Sequence, residues 1–339
     1  MKTKKVFSWD QYHERQIALR INYLGCDLKG FVQQESSNET VESYLFSALE
    51  KARLIKDRKD CNYSLCGRTD AGVSGIGNVV SLRVRSTYPF GIGAIKKEGA
   101  PIKEEELNYV QILNGILPPI IRVSAVAYVN ENFNARFDCK SRSYRYLFHL
   151  FDMDLEKMKE AAKLLIGEHD YRNFCKFSPS NTSHCIRTIH SIEFNNISNG
   201  VWYFQISGTG FIWHQIRCIA AVLFLVGQKL EEPSIVADLL DVKKYPGRPQ
   251  YVIADPEPLV FWMAEYNDIE WKRTENMGGK FKISFNEMLR KSDIKTALLN
   301  FFNDGPTKPN EKSKSYTPIS KLQMCKSVEE LIEEYKNQK

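Results

Sequence analysis

One order of hydrophobic periodicities occurs twice along the 339 residues of this chain, and it limits the available folds more than any single motif does. IALRINYLG (17–25) alternates apolar and polar residues as a half-buried strand does, and ETVESYLFSALEKARLI (39–55) has helical spacing. CNYSLC (61–66) and IGNVVSLRV (76–84) read as strands, EEELNYVQILNGIL (104–117) as a helix and IRVSAVAYV (121–129) as a strand. The order is βαββαβ. A second pass opens with the strand SYRYLFHLF (143–151) and the helix DLEKMKEAAKLLIG, followed by the strands IRTIHSIEFN and VWYFQISG. It continues with the long apolar helix FIWHQIRCIAAVLFLVGQ, a further helix PSIVADLLDV and the strand EPLVFWMAEY (257–266). The expected fold class is therefore α+β: two ferredoxin-like, RRM-like βαββαβ halves whose antiparallel sheets each leave one face for a ligand.

The expected boundaries are an N-terminal segment 1–16, a half 17–135, a second half 136–266 and a basic C-terminal appendage 267–339. STYPFGIGAIKKEGAPIKEE (86–105) reads as an excursion and NENFNARFDCKSR (130–142) as the link between halves. SVEELIEEYKNQK closes the chain as a helix with Ser327 as its cap. With 43% hydrophobic residues the chain can bury a full core. No apolar run approaches the roughly 20 residues that span a bilayer. The opening MKTKKVFSWDQYHERQ lacks the apolar centre of a signal peptide, so a soluble, intracellular protein with no membrane partner is expected. The net charge of +6 hints at a polyanionic partner without establishing one. The eight cysteines form no CxxC pair, and several lie in apolar segments where a reduced thiol packs well. A zinc site built from His169, Cys175, His184 and Cys185 fits no compact ligand spacing, so no metal is expected.

CGRTDAGVSGIGNVVSL (66–82) is the stretch that carries chemistry. It differs from a phosphate-binding P-loop at Val73, where lysine is needed, and a strand follows it instead of a helix. Gly72, Gly75 and Gly77 have the wrong spacings for a dinucleotide fingerprint. A plain strand connection would suit TDAG, with Asp70 bonded to nearby amides and Gly72 at positive φ. Arg68 argues against that reading alone, because a cation and a carboxylate two residues apart at a strand end are costly unless each has a partner.

Together with three further segments, this stretch resembles the TruA-type tRNA pseudouridine synthases. YLGCDLKGFVQQ (23–34) is similar to the family's Y-x-G-x(4)-G-[FW]-x-x-Q segment, FNARFDCKSRSYRYLF (133–148) to its F-x-A-R-F…R-x-Y-x-Y element and FIWHQIRC (211–218) to its F-x-x-H-x-x-R helix. Ser74, Cys218, DYRNFCK, RPQYVIADPEPLVF and KSYTPISKLQMCKSVEELI look like the eukaryotic branch, which modifies uridines 38 and 39 of the tRNA anticodon stem-loop. The resemblance covers residues 17–266 and returns near the C-terminus. It implies the pseudouridine synthase fold, with the two halves meeting at a central catalytic cleft.

The resemblance also implies roles. Asp70 would be the catalytic carboxylate, either attacking C1′ of the target uridine or removing the C2′ proton. Arg217 would pair with it and favour its charged form, and Tyr144 would stack on the base and assist removal of the C5 proton. Arg68 would enter the space left by the flipped nucleotide, and Thr69, Gln34 and His214 would contact the substrate. The reaction is redox-neutral and retains the detached uracil, so one carboxylate in a closed pocket suffices and no cofactor is implied. The implied partner is tRNA, the implied assembly a homodimer, and the implied location cytoplasm and nucleus. Two other readings compete. A non-catalytic RNA-binding protein with two RRM-like sheets would carry an RNP-like aromatic motif, which the sequence lacks. A metal-dependent hydrolase would need clustered histidines, whereas the six here are scattered.

Overall fold

The computed structural model describes residues 7–176, 185–198, 200–273, 279–303 and 316–337. The chain divides into two compact units, one drawn from residues 1–68, 78–138 and 268–315 and the other from 69–77, 139–267 and 316–339.

In the first unit the elements are β1 (His13–Tyr23), α1 (Val41–Lys51), β2 (Ser64–Leu65), β3 (Ser74–Ser86, from residue 78 on), β4 (Ala94–Ile95), α2 (Tyr109–Asn114) and β5 (Ile121–Tyr128). β1 lies beside β3, and both β4 and β5 pair antiparallel with β1. Alternate residues Ile17, Leu19 and Ile21 of β1 and Val80, Leu82 and Val84 of β3 are buried in one cluster with Leu45 and Leu49 of α1 and Leu113 of α2. Thr40 starts α1 by accepting from the Ser43 amide at 3.2 Å. Apolar spacing continues to Ile55, but the helix stops earlier. Arg53 turns left-handed (φ 51°) and the Leu54 amide returns to Leu49 O at 2.8 Å.

α2 is also shorter than its periodicity predicts, because residues 104–107 are held outside the helix. Arg15, 1% exposed, donates from Nε to Glu106 Oε2 at 2.7 Å and from its other nitrogens to the carbonyls of Ile92, Tyr88 and Phe90 at 2.7–2.8 Å. The excursion 86–105 is thus tied to a buried guanidinium, and it contributes the unforeseen strand β4.

In the second unit β6 (Ser141–His149) is followed by α3 (Leu155–Lys163), β7 (Gly167–Asp170), β8 (Ile186–Ser198), β9 (Val201–Gly208), α4 (Gln215–Gly227), α5 (Ile235–Leu240) and β10 (Leu259–Glu265). The strands run in the order β10-β6-β9-β8-β7, all antiparallel. β7 is unexpected, since GEHD has neither alternation nor β-branched residues. One expectation needs correcting: the start of β3 joins this sheet in parallel to β10, with Ser74 opposite Val260 and Phe261 opposite Gly75. The sheets are therefore not antiparallel throughout. Gly77 permits that approach, because a Cβ there would overlap Trp262 O and come within 3.0 Å of Met263 Cα. Gly77→Ala is expected to destabilise the protein by about 1–3 kcal/mol through forced separation of the two backbones, measured by urea denaturation.

The expected appendage 267–339 is not one piece. Lys272 exchanges backbone hydrogen bonds with Val126 of β5 at 2.8 and 3.0 Å, and Trp271 receives the Arg20 guanidinium on its ring at 4.4 Å. α6 (Gly279–Asn303) follows, its described side chains solvent-exposed apart from the half-buried Met288. Residues 316–337 belong to the second unit, where Ile319 is buried and Gln250 and Cys325 make backbone bonds to Gln323 and Arg248 at 2.9 Å. α7 (Val328–Asn337) begins with the expected cap: Ser327 Oγ accepts from the Glu330 amide at 3.1 Å, and Glu330 accepts from the Ser327 amide at 2.7 Å.

Candidate active site

Four segments of the second unit bring the site residues into place. The first is the turn before β3. The Val73 amide returns to Asp70 O at 3.2 Å, and Gly72 adopts φ +82° with Pro256 Cγ 3.2 Å from where its Cβ would stand. A side chain at residue 72 would thus meet both an unfavourable backbone conformation and a proline ring. The turn leaves the Asp70 side chain 34% exposed and Thr69 nearly buried.

The second segment is the beginning of α4. Its apolar residues, including Ile216, Cys218, Ile219, Ala220, Val222 and Leu223, are buried, so the helix is anchored by packing along most of its circumference. The predicted helix starts at residue 211, whereas the observed one starts at Gln215 because His214 is left-handed (φ 63°, ψ 8°). Arg217, in the first turn, places Nη1 3.8 Å from Asp70 Oδ2, and His214 Nε2 lies 3.2 Å from the same oxygen. Their side chains are 15% and 12% exposed. The carboxylate therefore sits at a helix N-terminus beside a guanidinium, and both place positive potential on it.

The third segment, residues 254–256, fixes Arg217. Its Nε donates to Ala254 O at 2.8 Å, while the Ala254 amide donates to Arg217 O at 3.3 Å. The Tyr146 hydroxyl, whose pKa is pushed well up by burial, donates to Asp255 O at 2.9 Å and so steadies this segment from β6. The fourth is β6 itself. Tyr144, 8% exposed, meets Phe211 and Phe261 edge-on, with ring centroids 5.2 and 4.9 Å away.

Asp70, His214 and Arg217 are thus brought together, with Thr69 and Tyr144 in the same unit. Arg68 and Gln34 belong to the first unit: Arg68 is exposed, and Gln34 donates to Lys29 O at 2.8 Å within its own turn. Sequence reasoning missed the supports, namely Ala254 O, the Tyr146 bond and the edge-on phenylalanines. Nothing local marks a backbone carbonyl as the acceptor for an arginine 37 positions away.

Among the described residues no group of three or more His, Cys, Asp or Glu side chains could hold a metal ion. Cys175 and Cys185 are buried with a hydrogen bond between their thiols, and His169 Nε2 bonds Ile166 O at 3.1 Å. His184, the remaining member of that candidate zinc set, lies outside the described residues.

Comparison with known proteins bears on this arrangement. The tRNA pseudouridine(38/39) synthase of Saccharomyces cerevisiae is 36% identical over 329 residues, which cover 94% of this chain and 73% of that protein. The chain belongs to the tRNA pseudouridine synthase family. The family profile described as tRNA pseudouridine synthase matches residues 161–267. Other members of the family include the human tRNA pseudouridine(38/39) synthase, 41% identical over 285 residues, and tRNA pseudouridine synthase A of Methanosarcina mazei, 32% identical over 230. The chain spans 59% of the length of the human and bovine relatives it matches. His214 and Arg217 fall inside the segment matched by the tRNA pseudouridine synthase profile, and Asp70 falls outside it.

Proposed function

We propose that this chain isomerises uridine to pseudouridine at positions 38 and 39 of the tRNA anticodon stem-loop, with Asp70 as the catalytic carboxylate. The observation that carries the reading is the placement of Asp70 Oδ2 against His214 and Arg217 at the start of α4, in a member of this family. The reaction breaks the C1′–N1 bond, turns the uracil and joins C1′ to C5, from which a proton is lost. An ionised Asp70 serves either route, attack on C1′ or removal of the C2′ proton, and Arg217 supports its charge. Tyr144, held edge-on by two rings, stacks its face on the base and offers a hydroxyl for the C5 proton. Arg68 fills the stack vacated by the flipped nucleotide, and Thr69 and Gln34 contact the RNA. The protein acts as a homodimer, in cytoplasm and nucleus, and without a cofactor.

The test is pseudouridine mapping in tRNA after incubation with the pure protein in EDTA. Conversion at 38 and 39 is the expected result. Conversion confined to other positions would overturn the site assignment. Tight tRNA binding without conversion would favour the non-catalytic RNA-binding reading.

A further inference from the structure

We infer that His214 is a positioning residue for Asp70, holding its carboxylate in the orientation in which it meets the substrate sugar. The inference rests on the reading that Asp70 carries the isomerisation. The closest approaches of two basic side chains to this carboxylate, His214 Nε2 at 3.2 Å and Arg217 Nη1 at 3.8 Å, are both to Oδ2. With the imidazole the nearer of the two, His214 is the side chain that most closely limits how the carboxylate can turn toward the sugar.

Three features of His214 are unusual for a residue at the start of a buried helix. Its backbone is left-handed (φ 63°, ψ 8°), a region that glycine and asparagine enter with less strain than histidine. It occupies the N-cap of α4, yet its side chain makes no capping bond. The Gln215 carboxamide turns back instead to accept from the Ile212 amide at 2.9 Å. Nδ1 of His214 is buried without a hydrogen-bond partner among the described residues. A strained backbone, an unused cap position and an unsatisfied ring nitrogen meet at one residue. The interaction they jointly permit is the contact with Asp70, as expected where local strain serves a site. Trp213, its ring centroid 4.6 Å from that of the imidazole, limits how far the ring can turn away.

The deciding variant is His214→Gly, which keeps the left-handed backbone without strain and removes only the ring. Single-turnover conversion of tRNA is expected to slow by about 10–100-fold, the loss typical of a misplaced reacting group. The Kd for tRNA should stay within about threefold, since affinity comes mainly from phosphate contacts elsewhere. Added imidazole, which can refill the vacated space and supply an N–H donor, should restore most of the lost rate. His214→Asn should fall between parent and glycine variant. If the parental protein does not convert the tRNA, the proposed function fails and this inference with it. If the parent converts and His214→Gly converts equally fast, only the role of His214 is overturned. A rate loss that imidazole does not relieve, or one matched by an equal rise in Kd, would make His214 a structural or substrate contact and also overturn the positioning role.

Discussion

Asp70→Asn is expected to abolish conversion of uridine while leaving tRNA bound. The substitution keeps the size of the side chain and one acceptor oxygen for His214 and Arg217, but removes the negative charge that either route requires. Release of tritium from uridine C5 should fall below detection. Filter binding of the same tRNA should change by less than about tenfold, or roughly 1.4 kcal/mol, because phosphate contacts spread over the surface dominate affinity. Asp70 is one-third exposed, and Arg217 keeps its bond to Ala254 O, so the variant should melt close to the parent. A folded variant that still released tritium near the parental rate would reduce Asp70 to a residue of the turn.

Arg15→Ala is expected to cost more stability than Gly77→Ala, Asp70→Asn or His214→Gly. Arg15 and Glu106 are 1% and 9% exposed, and removing one partner of such a pair leaves a buried, uncompensated charge. Losses of about 3–5 kcal/mol are typical of that change. The variant also releases the three carbonyls of the 86–105 excursion and the stacking of the guanidinium on Tyr128, 4.4 Å away. The dependence on pH has a definite sign. Burial pushes the Glu106 carboxyl up, but the Ser86 hydroxyl, the Leu107 and Thr87 amides and Arg15 together outweigh burial and hold it below the usual carboxylate range. Its contribution is therefore complete above the ordinary value near 4.3 and is lost as pH falls through the lower folded value. Without Arg15 the burial effect is less opposed and part of that contribution is already gone. The gap between parent and variant in urea denaturation should be widest near neutrality and narrow on acidification. A loss below about 1 kcal/mol, or one equal at all pH values, would show that the pair is not a buried ion pair of this kind.

Much of the chain is legible without the structure. β1, α1, β5, β6, α3, β8, β9, α4, α5 and β10 all appear where periodicity places them, because amphipathic spacing records which face of an element is buried. The Ser327–Glu330 cap is legible for a related reason, since its bonds join residues three apart. Resemblance supplied the site candidates, and the structure sorts them: Asp70, His214 and Arg217 meet directly, whereas Arg68 and Gln34 lie in the other unit.

What the sequence left undetermined depends on pairs far apart in the chain. The parallel pairing of β3 with β10 joins Gly75 to Phe261, and no local pattern distinguishes a parallel from an antiparallel partner. The shortening of α2 follows from Arg15, 91 positions before Glu106, drawing that carboxylate out of a helical run. The division of residues 268–337 between two units follows from where Lys272 and Gln323 find backbone partners, at Val126 and Gln250. His214 shows the difference most sharply. Its apolar neighbours predict a helix through position 214, whereas the structure puts a left-handed histidine there, its ring beside the carboxylate of Asp70, 144 residues earlier. Short-range periodicity determined which segments are strands and helices, and tertiary contacts decided where those segments stop and which way their polar groups point, because those choices lie with partners that become neighbours only in the folded chain.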